Sequence, residues 1–268
     1  PRTIRDPPKA LPEFPIHRDR MRYMCIVWCR APPLTPIPAL LYIAKQTGNM
    51  AMQILGVSGS PVENSNTDRA VKAVLNAADM PAEFVKLSEY DLNPCNACLA
   101  CVEGNRCEQD DDGNLLLDKV LESDAVVVGG WAPYSSLDAR TKMFIERLYP
   151  SRHLQGALGG KAGGVVVTIG GPPDNENIPP AAETVINQVS YWMMEEGIEK
   201  LGSVTVQGNV PCLSCGYGDE CRVSGITMLY GENATTNDVG FNQFEDQPEA
   251  VRRSEELGRA IAEAVAEE

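Results

Sequence analysis

A parallel, doubly wound α/β sheet of five strands with helices on both faces is the architecture this sequence predicts, on three observations. From residue 53 onward, short apolar runs of strand length alternate with segments of helical periodicity. Several of those runs are continuously apolar and β-branched, as strands buried on both faces are. With 268 residues, 43% apolar and 22% charged, the chain is long enough to enclose such a sheet in one core.

The first strand is read at residues 53–57, ending in Ser58-Gly59-Ser60-Pro61. A helix follows with Val71, Val74 and Leu75 on one face, Asn66 or Thr67 as its N-cap and Asp68 favourable in its first turn. Residues 83–87 form the second strand, and a cysteine-rich loop leads to a helix around residues 115–121. The run at 125–128 is the third strand, followed by a helix bearing Met143, Phe144, Ile145 and Leu148. Residues 164–168 are the fourth strand, 181–196 a helix, and 204–206 the closing strand. A last helix spans 249–267 with Val251, Leu257, Ile261 and Val265 inward. No internal repeat or low-complexity tract is evident. Residues 50–207 read as one ligand-binding domain with a cysteine loop inserted at 94–112, and residues 208–268 complete the same domain.

Residues 1–49 read differently. They hold eight basic and three acidic side chains and nine of the 20 prolines, a composition that sustains neither helix nor central strand. They are expected to be a basic, poorly packed extension, dispensable for folding. The chain as a whole carries a net charge of −14, which argues against nucleic acid as its partner. No apolar run approaches the roughly 20 residues of a membrane span. A cleaved signal stays an open reading, although no continuous apolar core free of Pro and charge leads to a small-residue cleavage site. A cytoplasmic location is expected.

In open α/β sheets, ligands bind beyond the carboxyl ends of the strands. Three loops fall there, at 58–67, 129–137 and 168–173. The first combines small hydroxyl and amide side chains with a helix N-terminus, which suits a phosphate and equally suits a well-capped turn. It has neither the triphosphate nor the dinucleotide glycine pattern.

The segment Ile54-Leu55-Gly56-Val57-Ser58-Gly59-Ser60-Pro61, with Asn64-Ser65-Asn66-Thr67, resembles the phosphate loop of the NADPH-dependent FMN reductase branch of flavodoxin-like proteins. Ala132-Pro133-Tyr134-Ser135-Ser136, followed by residues 142–147, is similar to that family's second flavin loop and helix. The resemblance implies a flavodoxin-like fold that binds FMN. Ser58, Ser60, Asn66 and Thr67 would hold the phosphate. Trp131, Ala132, Pro133, Tyr134, Ser135 and Ser136 would flank the ring, with Thr168, Gly170 and Gly171 on its far side. Val62-Glu63 stands where many members have a basic residue.

Cys95, Cys98, Cys101 and Cys107 follow a C-x2-C-x2-C-x5-C spacing. Three thiolates two residues apart and a nearby fourth can hold the corners of a [4Fe–4S] cluster, whereas zinc prefers two close pairs set well apart. Closely spaced cysteines are poor disulfide partners. Compact cysteines between the second and third strands of a flavodoxin-like domain resemble the iron–sulfur flavoproteins of anaerobic archaea and bacteria. A second group, Cys212, Cys215 and Cys221, suits a second iron–sulfur cluster or a zinc, with a fourth ligand from Cys25, Cys29, an acidic group or another subunit. It suits equally a Gly-rich turn with free thiols. His17 and His153 have no spacing that marks a site, and Asp110-Asp111-Asp112 reads as a solvated turn.

The chemistry expected is electron transfer carried by cofactors rather than by protein acids or bases. The resemblance implies a homodimer or higher homo-oligomer that exchanges electrons between a ferredoxin-like donor and a two-electron acceptor. The alternatives are an NAD(P)H-dependent FMN or quinone reductase and a non-enzymatic electron-carrier subunit of a larger redox complex.

Overall fold

The structure, a computed structural model, describes residues 53–172 and 179–267. The basic extension, with Cys25, Cys29 and His17, lies outside them, as does Pro173 at the end of the third loop.

Five strands form one sheet: β1 Ile54–Ser58, β2 Ala82–Lys86, β3 Ala125–Trp131, β4 Ala162–Ile169 and β5 Glu199–Gln207. All neighbours pair in parallel, in the order β2-β1-β3-β4-β5. This is the flavodoxin-like order, whose direction reverses between β1 and β3. The main helices are α1 Asn66–Ala78, α2 Gly113–Glu122, α3 Ala139–Arg147 and α4 Ala181–Glu196. Short α5 Gly225–Tyr230 and α6 Thr236–Val239 follow β5, and α7 Pro248–Ala266 ends the domain. None of the described helices is long and apolar enough to cross a membrane.

Alternation along each strand divides the core between two faces. Leu55, Val57, Val126, Val128, Val165 and Val167 pack with Leu116 and Leu117 of α2, Phe144 of α3 and Met193 of α4. Ile54, Val127 and Val166 face the other way, toward Val71, Val74 and Leu75 of α1 and Leu257 and Ile261 of α7. Burying both faces accounts for the unbroken apolar runs.

The local differences from the sequence reading have physical causes. β3 continues through Gly129 and Gly130 to Trp131. The missing side chain at Gly129 admits α1, since a Cβ there would lie 2.5 Å from Val71 Cγ2. β5 begins five residues before the predicted start, because an edge strand tolerates the charged Glu199 and Lys200 that hide the pattern. The N-cap of α1 is Ser65, not Asn66 or Thr67. Its hydroxyl accepts from the Asp68 amide while the Asp68 carboxylate accepts from the Ser65 amide, a reciprocal capping box.

Candidate functional site

Because every strand is parallel, the loops after all five leave the same edge of the sheet, and the β1 loop sits at the switch point. Beneath it lies a charged scaffold. Asp68 is buried and accepts from the Ser58 hydroxyl at 2.6 Å and from Lys86 Nζ at 2.5 Å. Lys86, also buried, donates to the Val62 carbonyl at 2.8 Å. A cation from β2 therefore supports the loop from below, at the stretch where the sequence itself shows no basic residue. Gly59 presses onto the start of α3. A Cβ there would stand 1.9 Å from Thr141 Oγ1 and 2.9 Å from Asp138 Oδ1. Asp138 caps α3 by accepting from the Thr141 amide and hydroxyl, and also accepts from the Trp131 amide. Burial pushes its carboxyl above the ordinary value.

The four residues singled out for phosphate are placed in two ways. Ser58 and Asn66 are committed to the protein. The Asn66 amide donates to the carbonyls of Gln207 and Asn242, at 3.3 and 3.0 Å, and its oxygen accepts from the Phe244 amide and Arg69. Ser60 and Thr67 are less encumbered. The Ser60 oxygen accepts from the Val62 amide at 3.3 Å, and the Thr67 hydroxyl meets the Thr168 hydroxyl at 2.8 Å, joining the first loop to the third. The amides of Asn66 and Thr67, in the first turn of α1, lie outside the helix's own hydrogen-bond ladder.

In the second loop Tyr134 and Ser135 both take left-handed backbone angles, φ 51° and 57°, and the Tyr134 side chain is fully exposed. Two consecutive non-glycine residues in that region store strain, a feature that clusters at ligand sites. Gln188 of α4 braces the loop through the Leu137 amide and the Ser136 hydroxyl. Trp131 is half-buried at the end of β3, and the Ala132 amide donates to the Thr168 carbonyl. The third loop is covered. Cβ atoms on Gly170 and Gly171 would lie 3.1 Å from Val210 and 3.2 Å from Leu229, and Tyr230 donates to the Gly170 carbonyl. The excursion between β5 and α7, which showed no periodicity in sequence, thus packs against two of the three loops.

The cysteines lie beyond β2. Cys95, Cys98, Cys101 and Cys107 all line one recess of about 370 Å³, closed by Arg147, Tyr149 and Pro150 at the end of α3. Ala97 and Leu99 take left-handed angles, which turn the chain sharply between successive cysteines. Burial pushes the Cys101 thiol up, and the nearby sulfurs of Cys107, Cys95 and Cys98 push it further. Four thiolates in one recess need a cationic centre among them. Among the described residues no three His, Cys, Asp or Glu side chains converge on a point where one metal ion would sit. Four cysteines lining one recess suit a polynuclear cluster, in which each thiolate would meet a different iron.

His153 and Arg147, which carry no local sequence signal for this site, stand beside these cysteines. His153 Nε2 is 3.1 Å from Cys101 Sγ, and its ring stands edge-on to Tyr149 with centroids 5.0 Å apart. Burial and the neighbouring Arg152 lower the basicity of His153, so a neutral ring protonated at Nε2 can donate to the sulfur. Arg147 is buried. Its guanidinium grips Asp111 at 2.5 and 2.8 Å and donates to the Asn93 carbonyl at 2.7 Å. Its Nε is buried with no hydrogen-bond partner among the described residues. A cationic side chain lining the recess fits an anionic sulfur cluster. Asp111, in the acidic run read as a solvated turn, is instead the buried partner of this arginine.

Cys212, Cys215 and Cys221 lie in the excursion, Cys212 half-buried and the other two exposed. All seven described cysteines are free thiols.

The profile of the NADPH-dependent FMN reductase family matches residues 52–199. The chain is 35% identical over 217 residues to an iron–sulfur flavoprotein of Methanocaldococcus jannaschii, covering 80% of this chain and 97% of that one. An iron–sulfur flavoprotein of Archaeoglobus fulgidus is 32% identical over 130 residues, 47% of this chain and 59% of its own length. Among solved structures, RosB with a bound 8-demethyl-8-formylriboflavin-5'-phosphate intermediate superposes with a TM-score of 0.57. It shares 13% identity and covers 81% of this chain and 80% of its own, a likeness of fold alone.

Proposed function

The chain belongs to the iron–sulfur flavoproteins of the NADPH-dependent FMN reductase family, and from that premise we propose that it passes electrons between a ferredoxin-like donor and a two-electron acceptor through FMN and a [4Fe–4S] cluster. It is a flavin oxidoreductase by family. The observation that carries the finer reading is the gathering of all four cysteines on one recess that the Arg147 cation also lines. The cluster, when bound, supplies one-electron exchange beside a flavin able to exchange one or two.

The chain's own residues divide the work. Cys95, Cys98, Cys101 and Cys107 would hold the cluster, with His153 donating to the Cys101 sulfur and Arg147 lining the recess as a cation. The Ser60 and Thr67 hydroxyls and the first-turn amides of α1 would hold the FMN phosphate, while Ser58, Asp68, Lys86 and Asn66 fix the shape of that loop. Trp131, Ala132, Pro133, Tyr134, Ser135 and Ser136 would flank the ring. Thr168, Gly170 and Gly171, backed by Leu229, would close its far side. A homodimer or higher homo-oligomer completes the proposal, since the fully exposed Tyr134 offers its ring to a neighbouring surface. Reduced thiols fit a cytoplasmic setting.

Anaerobic purification with flavin, iron and sulfide assay tests this reading. Acid treatment is expected to release FMN, because a helix N-terminus beside hydroxyls suits a terminal phosphate; release of FAD would contradict it. Reduced ferredoxin should reduce the flavin in the intact protein. Reduction by NADPH alone, with ferredoxin inert, would favour the NAD(P)H-dependent reductase, the reading for which the matched family's name speaks. Thr67→Ala is expected to weaken FMN binding by about 1–3 kcal/mol, the range for losing a donor to a charged acceptor. Equilibrium titration of the flavin-free chain measures it, and unchanged affinity would move the phosphate elsewhere.

A further inference from the structure

We infer that Cys212, Cys215 and Cys221 form a second iron–sulfur site, on the opposite side of the flavin loops from the first. The starting observation is a short echo in the sequence. Cys98-Leu99-Ala100-Cys101-Val102-Glu103-Gly104-Asn105-Arg106-Cys107 is matched by Cys212-Leu213-Ser214-Cys215-Gly216-Tyr217-Gly218-Asp219-Glu220-Cys221. The three cysteines, the leucine and the second-loop glycine coincide, and Ala/Ser and Asn/Asp stand at two more positions. Ten residues recurring once, far apart in the chain, escape a search for domain-scale repeats.

The structure extends the match beyond spacing. The Asn/Asp position is the anchor of each loop. Asn105 donates to the carbonyls of Pro150 and His153, at 2.7 and 2.8 Å. Asp219 accepts from the Thr236 amide and hydroxyl, at 2.6 and 2.8 Å. Each loop also aims a backbone amide at a cysteine sulfur, at positions that do not correspond in the echo. Ala97 meets Cys95 Sγ at 3.4 Å, and Tyr217 meets Cys215 Sγ at 3.4 Å. Cys212 Sγ accepts from the Gly225 amide at 3.2 Å. Backbone amides aimed at sulfur are the outer contacts that orient cysteine ligands. Gly216 takes φ 82°, which turns the chain after the second cysteine. Ser224 ties the loop back by donating to the Gly218 carbonyl at 2.6 Å.

The spacing shared with the first group, which lacks the two well-separated close pairs that zinc prefers, points to a polynuclear centre. Three thiolates hold three irons of a cube and leave the fourth to a ligand from outside this loop. The location follows from topology. The first cysteine loop follows β2 and the second follows β5, the two edges of the sheet, and the loops after β1, β3 and β4 leave the same end between them. Leu229 against Gly171, and Asn242 and Phe244 on Asn66, seat the excursion directly on those loops. That the second site flanks a flavin rests on the function proposed above; that it binds iron does not.

The test is iron, sulfide, zinc and flavin assay on the full chain, purified anaerobically and reconstituted with ferrous iron and sulfide, beside Cys215→Ser, Cys221→Ser and Cys98→Ser. The expected result is about eight irons per chain in the parent and about four in each variant, at four per cluster. Retention of flavin by Cys215→Ser and Cys221→Ser shows that they are folded. If either is insoluble, the parent stoichiometry and the irons left in Cys98→Ser still decide. About four irons in the parent, unchanged in Cys215→Ser and Cys221→Ser, would overturn the inference, as would one zinc lost with them. Failure of the proposed function would look different: no flavin in the parent, or iron indifferent to Cys98.

Discussion

Cys98→Ser is expected to cost the protein about four irons per chain while FMN stays at its full occupancy. Cys98 stands exposed on the wall of the recess, so a serine there disturbs no packing, yet it removes one corner of a complete ligand set. The flavin elements are anchored independently. The Ser58–Asp68–Lys86 network and the Thr67–Thr168 contact fix the β1 loop without any residue of the cysteine loop. Reduction of the flavin by reduced ferredoxin should therefore collapse at least tenfold, while an artificial two-electron reductant still bleaches it. Paramagnetic resonance of the reduced protein, read beside the flavin absorbance, separates the two centres. Full iron content with an unaltered reduced signal in Cys98→Ser would remove the four-cysteine assignment.

What the sequence disclosed and what it concealed divide by range. The alternation of buried strands and amphipathic helices is local, and Val126–Val128 against Val71 or Phe144 could be read from periodicity alone. The C-x2-C-x2-C-x5-C loop is local too. The residues that shape the sites come from elsewhere in the chain. Lys86 looks like an ordinary charge at the end of a strand, and only the fold brings it under Val62 and onto Asp68. His153 and Arg147 reach the cysteine recess from the far end of α3, some fifty and forty residues on from Cys101 and Cys107. Ser65 is hidden as the cap because four capping residues, Asn64 to Thr67, stand in a row, and the choice among them turns on Asp68 closing the box. Asn66 illustrates the limit most plainly. Its residue type suits a phosphate ligand, but its side chain spends its hydrogen bonds on Gln207, Asn242 and Phe244.

Arg147→Met is expected to destabilise the fold by about 3–5 kcal/mol, the cost of stranding one partner of a buried ion pair. Asp111 and Arg147 are both buried, joined by two short hydrogen bonds, and the arginine also carries the Asn93 carbonyl. The thioether of methionine fills the space beside Gly113 without replacing any of these donors. The pair also has a pH signature. The Arg147 guanidinium, helped by the amides of Asn93 and Gly113, holds the Asp111 carboxyl well below the usual carboxylate range, against the opposing pull of burial. A carboxyl depressed in the folded state binds its proton more readily when unfolded. Its contribution is therefore complete above the unfolded value of about 4 and is lost as the pH falls below it. Denaturant unfolding of the parent should show stability declining through that acid window, and Arg147→Met should be weaker at neutral pH with a flatter decline. Asp111→Asn keeps the shape and removes the titrating group, so it should flatten the decline as well, at a smaller neutral-pH cost. The double variant Arg147→Met, Asp111→Asn is expected to be more stable than Arg147→Met alone, because it no longer buries an unpaired anion. Additive losses in that cycle would show that the two side chains act separately, and the ion pair would not be what ties the cysteine loop to α3.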